Sequence, residues 1–305
     1  MENRNFIQYA IITLKGMAMG AADVVPGVSG GTIAFISGIY EELITSINNV
    51  DISLFKTLRK DGLSAFWKKL NGNFLLALFL GIAISVFSLA KFISWLLVTQ
   101  PILVWSFFFG LVVASVFFVG KSIEIWNWKT IGMLILGTVI AYFVTVLPPS
   151  HNIDSIPYLF LCGTLAICAM ILPGISGAFI LVLLGSYKTI LDAVHERDFR
   201  IILTVGLGAI VGLLSFSKLL KWMFNHHKNM TLAVLTGFIL GSLNKIWPWN
   251  MVVETEIVGD KIITVKEQNI SPFAFDGDNQ LIFALILAIL GFFFFFVLEK
   301  IASKK

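Results

Sequence analysis

The stretch Met19-Gly-Ala-Ala-Asp-Val-Val-Pro-Gly-Val-Ser-Gly-Gly31 returns later in the chain as Ala166-Ile-Cys-Ala-Met-Ile-Leu-Pro-Gly-Ile-Ser-Gly-Ala178. The two segments share a Pro-Gly-x-Ser-Gly core. At the same spacing downstream, each is followed by a glycine and then by a tyrosine. Such self-similarity indicates an internal duplication, and it sets the frame in which the rest of the chain is interpreted.

A second block repeats in the same order and extends the duplication. The pattern Ser-x-x-Lys-x-x-x-Trp occurs at Ser88–Trp95 and again at Ser215–Trp222. Gly110 follows the first copy at the spacing at which Gly237 follows the second. Two motifs repeated in one order predict that the whole chain consists of two related halves.

The composition indicates a membrane protein. Of the 305 residues, 57% are hydrophobic and 13% are charged, whereas a soluble domain carries roughly a quarter charged residues. The mean hydropathy is +0.90. Because one crossing needs about 20 apolar residues, we expect spanning helices at about 74–97, 101–120, 130–147, 201–224, 231–247 and 280–298. Two further apolar regions, at about 8–47 and 157–192, contain the Pro-Gly pairs.

These elements predict an all-α polytopic membrane protein whose halves are residues 1–150 and 151–305. Each half would be a Pro-Gly-broken, re-entrant hairpin followed by three transmembrane helices. An odd number of crossings per half inserts the second half in the opposite sense to the first. The halves would then be inverted-topology repeats, a pattern typical of transporters.

Loop charges give an independent orientation. The loop at about 48–72 is rich in basic residues, which the positive-inside rule assigns to the cytoplasm: Lys56, Arg59, Lys60, Lys68 and Lys69. Both termini then fall inside, and the Lys- and Arg-free loops at about 98–100 and 148–156 fall outside. The loop at about 250–279 also falls outside, and its alternating pattern around Gly259-Asp260 predicts a β-hairpin that caps an outer opening. No cleaved signal peptide is expected at the N-terminus.

The Pro-Gly breaks are the predicted transport site. Proline tends to end a helix, and non-helical backbone at membrane depth lies inside protein or beside a watery cavity. Ser29 and Ser176 are the expected N-caps of the half-helices that follow. The unpaired amides and positive dipole ends of these half-helices favour an anion such as phosphate. The predicted substrate-binding residues are Gly27, Ser29, Gly30, Gly31, Thr32, Gly174, Ser176 and Gly177. Tight packing of small residues is the alternative explanation.

Four charged residues in apolar segments are candidate proton or headgroup contacts: Lys15, Asp23, Lys91 and Lys218. Asp23 has no acidic counterpart, since Met170 occupies the matching position. Because an ionised Asp23 would repel an anion, we expect it to be protonated during part of the cycle or paired with Lys15. Lys91 and Lys218 match each other in the repeat and could each meet a headgroup at one surface, although snorkelling explains them equally well.

No metal or cofactor is expected. Cys162 and Cys168 lie six residues apart in an apolar segment, without the spacing of a metal or redox site.

The segment Gly20–Thr32, together with Gly38-Ile-Tyr-Glu-Glu-Leu43, resembles the polyprenyl-phosphate transporter family. Ile171–Ala178 resembles the second signature of that family, and the similarity runs from about residue 10 to 300. The resemblance implies a flippase in the bacterial cytoplasmic membrane that returns undecaprenyl phosphate, the carrier for peptidoglycan and other envelope polymers, to the inner leaflet. The phosphate would rest at the paired half-helix ends while the isoprenoid tail stays in lipid, and proton coupling is one candidate driving force. No nucleic-acid partner is expected.

Two other functions stay open. Membrane undecaprenyl-diphosphatases also resemble inverted repeats with Pro-Gly-x-Ser loops, but their chemistry needs Arg and Glu at the pyrophosphate. Neither loop here contains Arg, and no Glu lies on the arms before the breaks. We therefore expect no enzymatic activity, with Asp23 as the residue that keeps the alternative open. A carrier or channel for small anions could use the same half-helix ends.

Overall fold

The structure is a computed structural model that describes residues 4–25, 28–148, 150, 155–258 and 261–303. The first half contains eight helices: α1 (Phe6–Val24), α2 (Gly30–Ile36), α3 (Tyr40–Asn48), α4 (Ile52–Leu70), α5 (Gly72–Ser88), α6 (Ala90–Thr99), α7 (Pro101–Lys121) and α8 (Trp128–Val146). The second half contains α9 (Ile156–Ile171), α10 (Gly177–Leu183), α11 (Tyr187–Glu196), α12 (Phe199–Ser242), strands β1 (Asn250–Val258) and β2 (Lys261–Asn269), and α13 (Leu281–Ser303).

The helices are those of a multi-pass membrane protein. Within the described residues, α7, α8 and α12 are each long and apolar enough to cross a membrane. The count reaches five if the bent pairs α4–α5 and α10–α11 are each one span. Shorter apolar helices lie at Ile156–Ile171 and Leu281–Phe296. The predicted all-α polytopic class is therefore confirmed.

The predicted helices at 201–224 and 231–247 both lie largely in α12, and non-helical backbone at His227 divides that element between them, so their separation is confirmed. α12 runs from Phe199 to Ser242 and kinks at His227, whose φ and ψ are −139° and 45°. The polar residues 225–230 contain no proline or glycine to stop a helix. Beyond the kink, the hydroxyl of Thr231 donates to the carbonyl of His227 at 3.0 Å.

The predicted helix at 74–97 is divided instead at Leu89, between α5 and α6. The hydroxyl of Ser88 donates to the carbonyl of Ile84 at 2.5 Å. Bonds of this kind, from a serine to the carbonyl one turn earlier, often bend a helix. The interruption is a local backbone effect that apolar composition does not reveal.

The predicted loop at 48–72 contains a helix, α4, so that prediction was wrong as well. The Asp51 carboxylate caps it by accepting from the N–H of Leu54 at 2.9 Å. Lys68 and Lys69 lie in the last turn, where positive charge is favourable, and Asn71 ends the helix in the left-handed region. A search for long apolar stretches misses such a helix because it exposes basic residues together with apolar ones such as Ile52, Phe55 and Leu63.

The predicted β-hairpin is confirmed. β1 and β2 pair antiparallel, from Asn250 opposite Asn269 to Val258 opposite Lys261. The turn at residues 259–260 lies outside the described residues. That the hairpin caps an outer opening stays a prediction.

Part of the core is formed by helix pairs that join the two halves. α7 packs against α13, and α8 packs against α12. A Cβ on Gly110 of α7 would collide with the carbonyl of Ala288 in α13. A Cβ on Gly237 of α12, the residue that the sequence pairs with Gly110, would collide with the carbonyl of Leu134 in α8. The same close approach of backbones therefore occurs at matching positions of the two halves.

Candidate functional site

The two Pro-Gly breaks face each other between the halves. The first separates α1 from α2, and the second separates α9 from α10. Pro26 and Gly27 lie outside the described residues, so the predicted role of Gly27 stays a prediction. Past the second break, α10 and α11 are bent by 108°. The contacts between the breaks, here called the junction, involve side chains of the first half and backbone of the second.

Two hydroxyls of the first half hold the end of α9. Ser29 Oγ lies 3.4 Å from each of the carbonyls of Met170 and Leu172. The hydroxyl of Tyr40 donates to the carbonyl of Ile171 at 3.1 Å. The last carbonyls of a helix have no intrahelical partner, and here the other half of the protein supplies it. Ser29 and Tyr40 are both buried.

Thr32 makes the third contact of the junction. Its buried Oγ1 accepts a hydrogen bond from the N–H of Gly174 at 2.8 Å. Gly174 has a φ of +90°, and a Cβ there would lie 2.8 Å from the carbonyl oxygen of Phe238. Glycine is thus needed both for the turn and for its packing against α12. Thr32 was predicted to face a ligand, and in this conformation it binds the second break.

The N-terminus of α2 is occupied by protein side chains. Ser29 is the N-cap, as predicted, and its Oγ accepts from the N–H of Gly31 at 3.1 Å. The N–H of Gly30 donates to Oδ1 of Asp23 at 2.6 Å. Asp23 therefore supplies a carboxylate to the amides that the sequence assigned to an anionic substrate.

Lys15 binds the opposite end of α2. Its Nζ donates to the carbonyl of Ser37 at 2.8 Å, and the side chain is 9% exposed. The predicted pairing of Lys15 with Asp23 was wrong, because the two residues bind opposite ends of this helix. No ion pair joins them in the described part of the chain. A negative group at the start of a helix and a positive group at its end both stabilise it.

The second half lacks these charges. Ser176 is the N-cap residue of α10, as predicted, but within the described residues its side chain makes no capping hydrogen bond. Gly177 packs near Met170, which stands where the first half has Asp23. At the other end of α10, the hydroxyl of Tyr158 donates to the carbonyl of Leu184 at 2.7 Å. This carbonyl matches that of Ser37, so a neutral side chain does there what Lys15 does in the first half.

A cavity of about 700 Å³ opens beside the C-terminal end of α2. Lys15 lines its interior, and six more charged residues line it: Arg4, Glu41, Glu42, Lys121, Glu124 and Lys228. Arg4 and Glu42 form a two-pronged ion pair with distances of 2.6 and 2.7 Å. Lys121 and Lys228 are exposed.

The remaining candidates lie elsewhere. Lys91 and Lys218 are exposed on α6 and α12 and line neither the cavity nor the junction. Sequence reasoning missed Tyr40, although its recurrence as Tyr187 marked it within the repeat. It also missed the meeting of Arg4, Lys121 and Lys228 at one cavity, which no local pattern signals.

Comparison with known proteins gives the family. The family described as VCA0040-like, undecaprenyl phosphate translocase-like, matches residues 19–262. A polyprenyl-phosphate transporter of Vibrio cholerae is 45% identical over 303 residues, which cover 98% of each chain. A polyprenyl-phosphate transporter of Staphylococcus aureus is 34% identical over 256 residues, covering 77% of this chain and 85% of that one. No solved structure matches. The names of the family and its members indicate transport rather than enzymatic activity, and the chain belongs to the undecaprenyl phosphate translocase-like family.

Proposed function

We propose that this protein carries polyprenyl phosphate across the bacterial cytoplasmic membrane, from the outer to the cytoplasmic leaflet, for reuse as a carrier lipid. The junction is the observation that carries the proposal. It is polar, buried backbone between two halves, the setting in which transporters bind their substrates. The substrate class comes from the names of the relatives, both polyprenyl-phosphate transporters.

The two halves are inverted repeats in this proposal. The matching approaches of Gly110 to Ala288 and of Gly237 to Leu134 support a common architecture with exchanged partners. The positive-inside rule then puts Arg4, Lys121 and Lys228 on the cytoplasmic side, together with both termini. The cavity that these residues line would open to the cytoplasm, which makes this an inward-facing conformation.

The phosphate would pass through the junction when the breaks separate. The amide of Gly30 already binds one oxyanion, the carboxylate of Asp23, and a phosphate oxygen could take its place. Protonation of Asp23 would weaken that carboxylate as an acceptor and release the amide, which offers a route to proton coupling. The hydroxyls of Ser29, Thr32 and Ser176 and the amides of Gly31 and Gly177 would complete the predicted set. All but the first units of the isoprenoid tail would remain in lipid.

Leaflet exchange of labelled undecaprenyl phosphate in liposomes tests the proposal. The purified protein should accelerate exchange above protein-free liposomes, with or without an imposed proton gradient. Ser29→Ala should slow exchange about fivefold or more, since it removes one of the hydroxyls proposed to bind the phosphate, a hydrogen bond worth about 1 kcal/mol. The matched control is Ser215→Ala, an exposed serine whose hydroxyl binds the carbonyl of Val211 in its own helix.

The same liposomes should be assayed for phosphate released from undecaprenyl diphosphate. Exchange without hydrolysis supports the transporter. Exchange no faster than in protein-free liposomes, even under a proton gradient, would rule the proposal out.

A further inference from the structure

We propose that the cavity beside α2 is a binding site for a phosphate monoester, with Lys15 as its direct ligand and Lys121 and Lys228 at its rim. The inference rests on the proposed function and deepens it by naming where the headgroup binds outside the junction. It uses three lines of observation: the burial of Lys15, the comparison between the halves, and the mixed lining of the cavity.

Lys15 is a buried cation with spare hydrogen-bonding capacity. An ammonium group has three N–H donors, and within the described residues one of them binds the carbonyl of Ser37. A buried charge is costly unless a partner of opposite charge compensates it. The nearest acid along the arm, Asp23, binds the far end of α2. Glu42 attracts Lys15 electrostatically, but among the described residues its carboxylate is hydrogen-bonded to Arg4 and Asn71. An anion in the cavity would supply the missing compensation.

The second half shows that capping does not require this charge. Tyr158 satisfies the carbonyl of Leu184 with a neutral hydroxyl, at the position that matches Ser37 in the first half. Cys162 stands where the first half has Lys15. Because α10 ends in the same way without a charge, the positive charge of Lys15 is not required to cap α2 and is available to a ligand.

The other charges around the cavity leave a positive excess near Lys15. Arg4 and Glu42 neutralise each other. Glu41 and Glu124 are exposed, as are Lys121 and Lys228, so these four charges balance and water and salt screen all of them. The buried charge of Lys15 is therefore the excess, and Lys121 and Lys228 are placed to contact an anion at the entrance.

The lining suits an amphiphile rather than a bare ion. Besides its charges, the cavity presents apolar side chains: Ile11, Ile12, Phe35, Val119 and Leu232. Its volume of about 700 Å³ falls within the range of about 300–1,000 Å³ of small-molecule sites. A phosphate at Lys15 and the first isoprene units along the apolar wall would fill both parts.

The test transfers the neutral cap of the second half into the first. The double variant Ile11→Tyr/Lys15→Cys reproduces the Tyr158 and Cys162 arrangement and removes the charge while keeping a donor for the Ser37 carbonyl. Affinities for undecaprenyl phosphate, undecaprenol and inorganic phosphate would be measured on purified protein in detergent. The matched control is Lys56→Cys, an exposed lysine of α4.

Wild type and the control should bind undecaprenyl phosphate about 10–100-fold more tightly than undecaprenol, the usual worth of hydrogen bonds to a charged group. The double variant should bind undecaprenyl phosphate no more tightly than undecaprenol, and its affinity for undecaprenol should equal that of the wild type. An equal ratio in wild type and the double variant would overturn the inference. If inorganic phosphate binds as tightly as undecaprenyl phosphate, the claim that the ligand is an amphiphile is overturned.

A second measurement keeps Lys15 intact, in case the double variant does not fold. The half-buried cavity residue Ile11 is changed to Cys, with Cys162 and Cys168 replaced by Ala, and its reaction with a thiol reagent is timed. Undecaprenyl phosphate should protect it, and undecaprenol should not; equal protection by both contradicts the site. If undecaprenyl phosphate binds in a Lys15-dependent way but leaflet exchange fails, the transport function alone is rejected. If exchange occurs but binding does not depend on Lys15, the site alone is rejected.

Discussion

Replacing Thr32 by Val tests whether the junction must open during transport. Valine keeps the shape of threonine and removes the oxygen that accepts from Gly174 at 2.8 Å. Both residues are buried, so the amide of Gly174 loses its partner at a cost of about 1–3 kcal/mol. If that bond breaks when the two breaks move apart, the cost falls on the closed junction alone, and the ratio of open to closed junction rises about 5–150-fold.

The assay follows a thiol at the second break. Ile175 is 7% exposed, so Ile175→Cys reacts with a small permeant thiol reagent chiefly when the junction opens. While reclosing is fast, the reaction rate is proportional to the open population. Thr32→Val should therefore accelerate labelling about 5–150-fold. Thr32→Ser, which retains an acceptor oxygen, should label at the wild-type rate.

An unchanged labelling rate in Thr32→Val, accompanied by a lower melting temperature, would refute the reasoning. It would mean that the hydrogen bond persists in every conformation and serves stability only. Cys162 and Cys168 would be replaced by Ala in all these variants, so that the introduced thiol alone is followed.

Two further predictions concern stability. Gly110→Ala should lower the melting temperature in detergent, because the new Cβ meets the carbonyl of Ala288 and overpacking costs about 1–3 kcal/mol. Gly120→Ala, on the same helix but with nothing within 4 Å of its Cβ, should be neutral or stabilise by up to about 1 kcal/mol. Equal melting temperatures for the two variants would contradict the close approach of α7 and α13. Glu42→Gln breaks the pair with Arg4, whose partly exposed side chains limit the loss to about 0–1 kcal/mol, and the loss should shrink as salt is added to the unfolding assay.

The repeat made much of the fold predictable. The duplicated Pro-Gly-x-Ser-Gly core identified both breaks, and apolar length identified α7 and α8 within a few residues. α4 was not recognised because its basic residues were interpreted as a loop between spans, although the helix also exposes Ile52 and Phe55. The polar residues 225–230, in contrast, correctly located the break of α12 at His227. Polarity indicates where the chain leaves the apolar interior, whereas a cap such as that of Asp51 decides whether the polar segment is itself helical.

The sequence predicted where the site lies, but not which groups form hydrogen bonds with one another there. The sequence identified Asp23 and Lys15 as unusual, and it placed them on one face of one arm. It could not reveal that α2 folds back between them, so that each binds one end of it. Likewise, the contact of Ser29 with Met170 joins residues far apart in the chain. Partners of this kind depend on how the halves meet, which local patterns do not encode.

The exchange of helices between the halves has a consequence for biogenesis. α7 and α8 are synthesised before α12 and α13, yet the close backbone contacts at Gly110 and Gly137 are made with those later helices. We hypothesise that the first half stays in the bilayer without its final packing partners until the second half is inserted. In the finished protein, helices of each half pack between helices of the other. Co-expression of residues 1–148 and 155–305 as separate chains should yield a complex that co-purifies, whereas either piece alone should be degraded; a stable first half on its own would contradict this order. Two halves packed in this way would not separate as rigid bodies. The elements that move during transport would then be the short helices at the breaks.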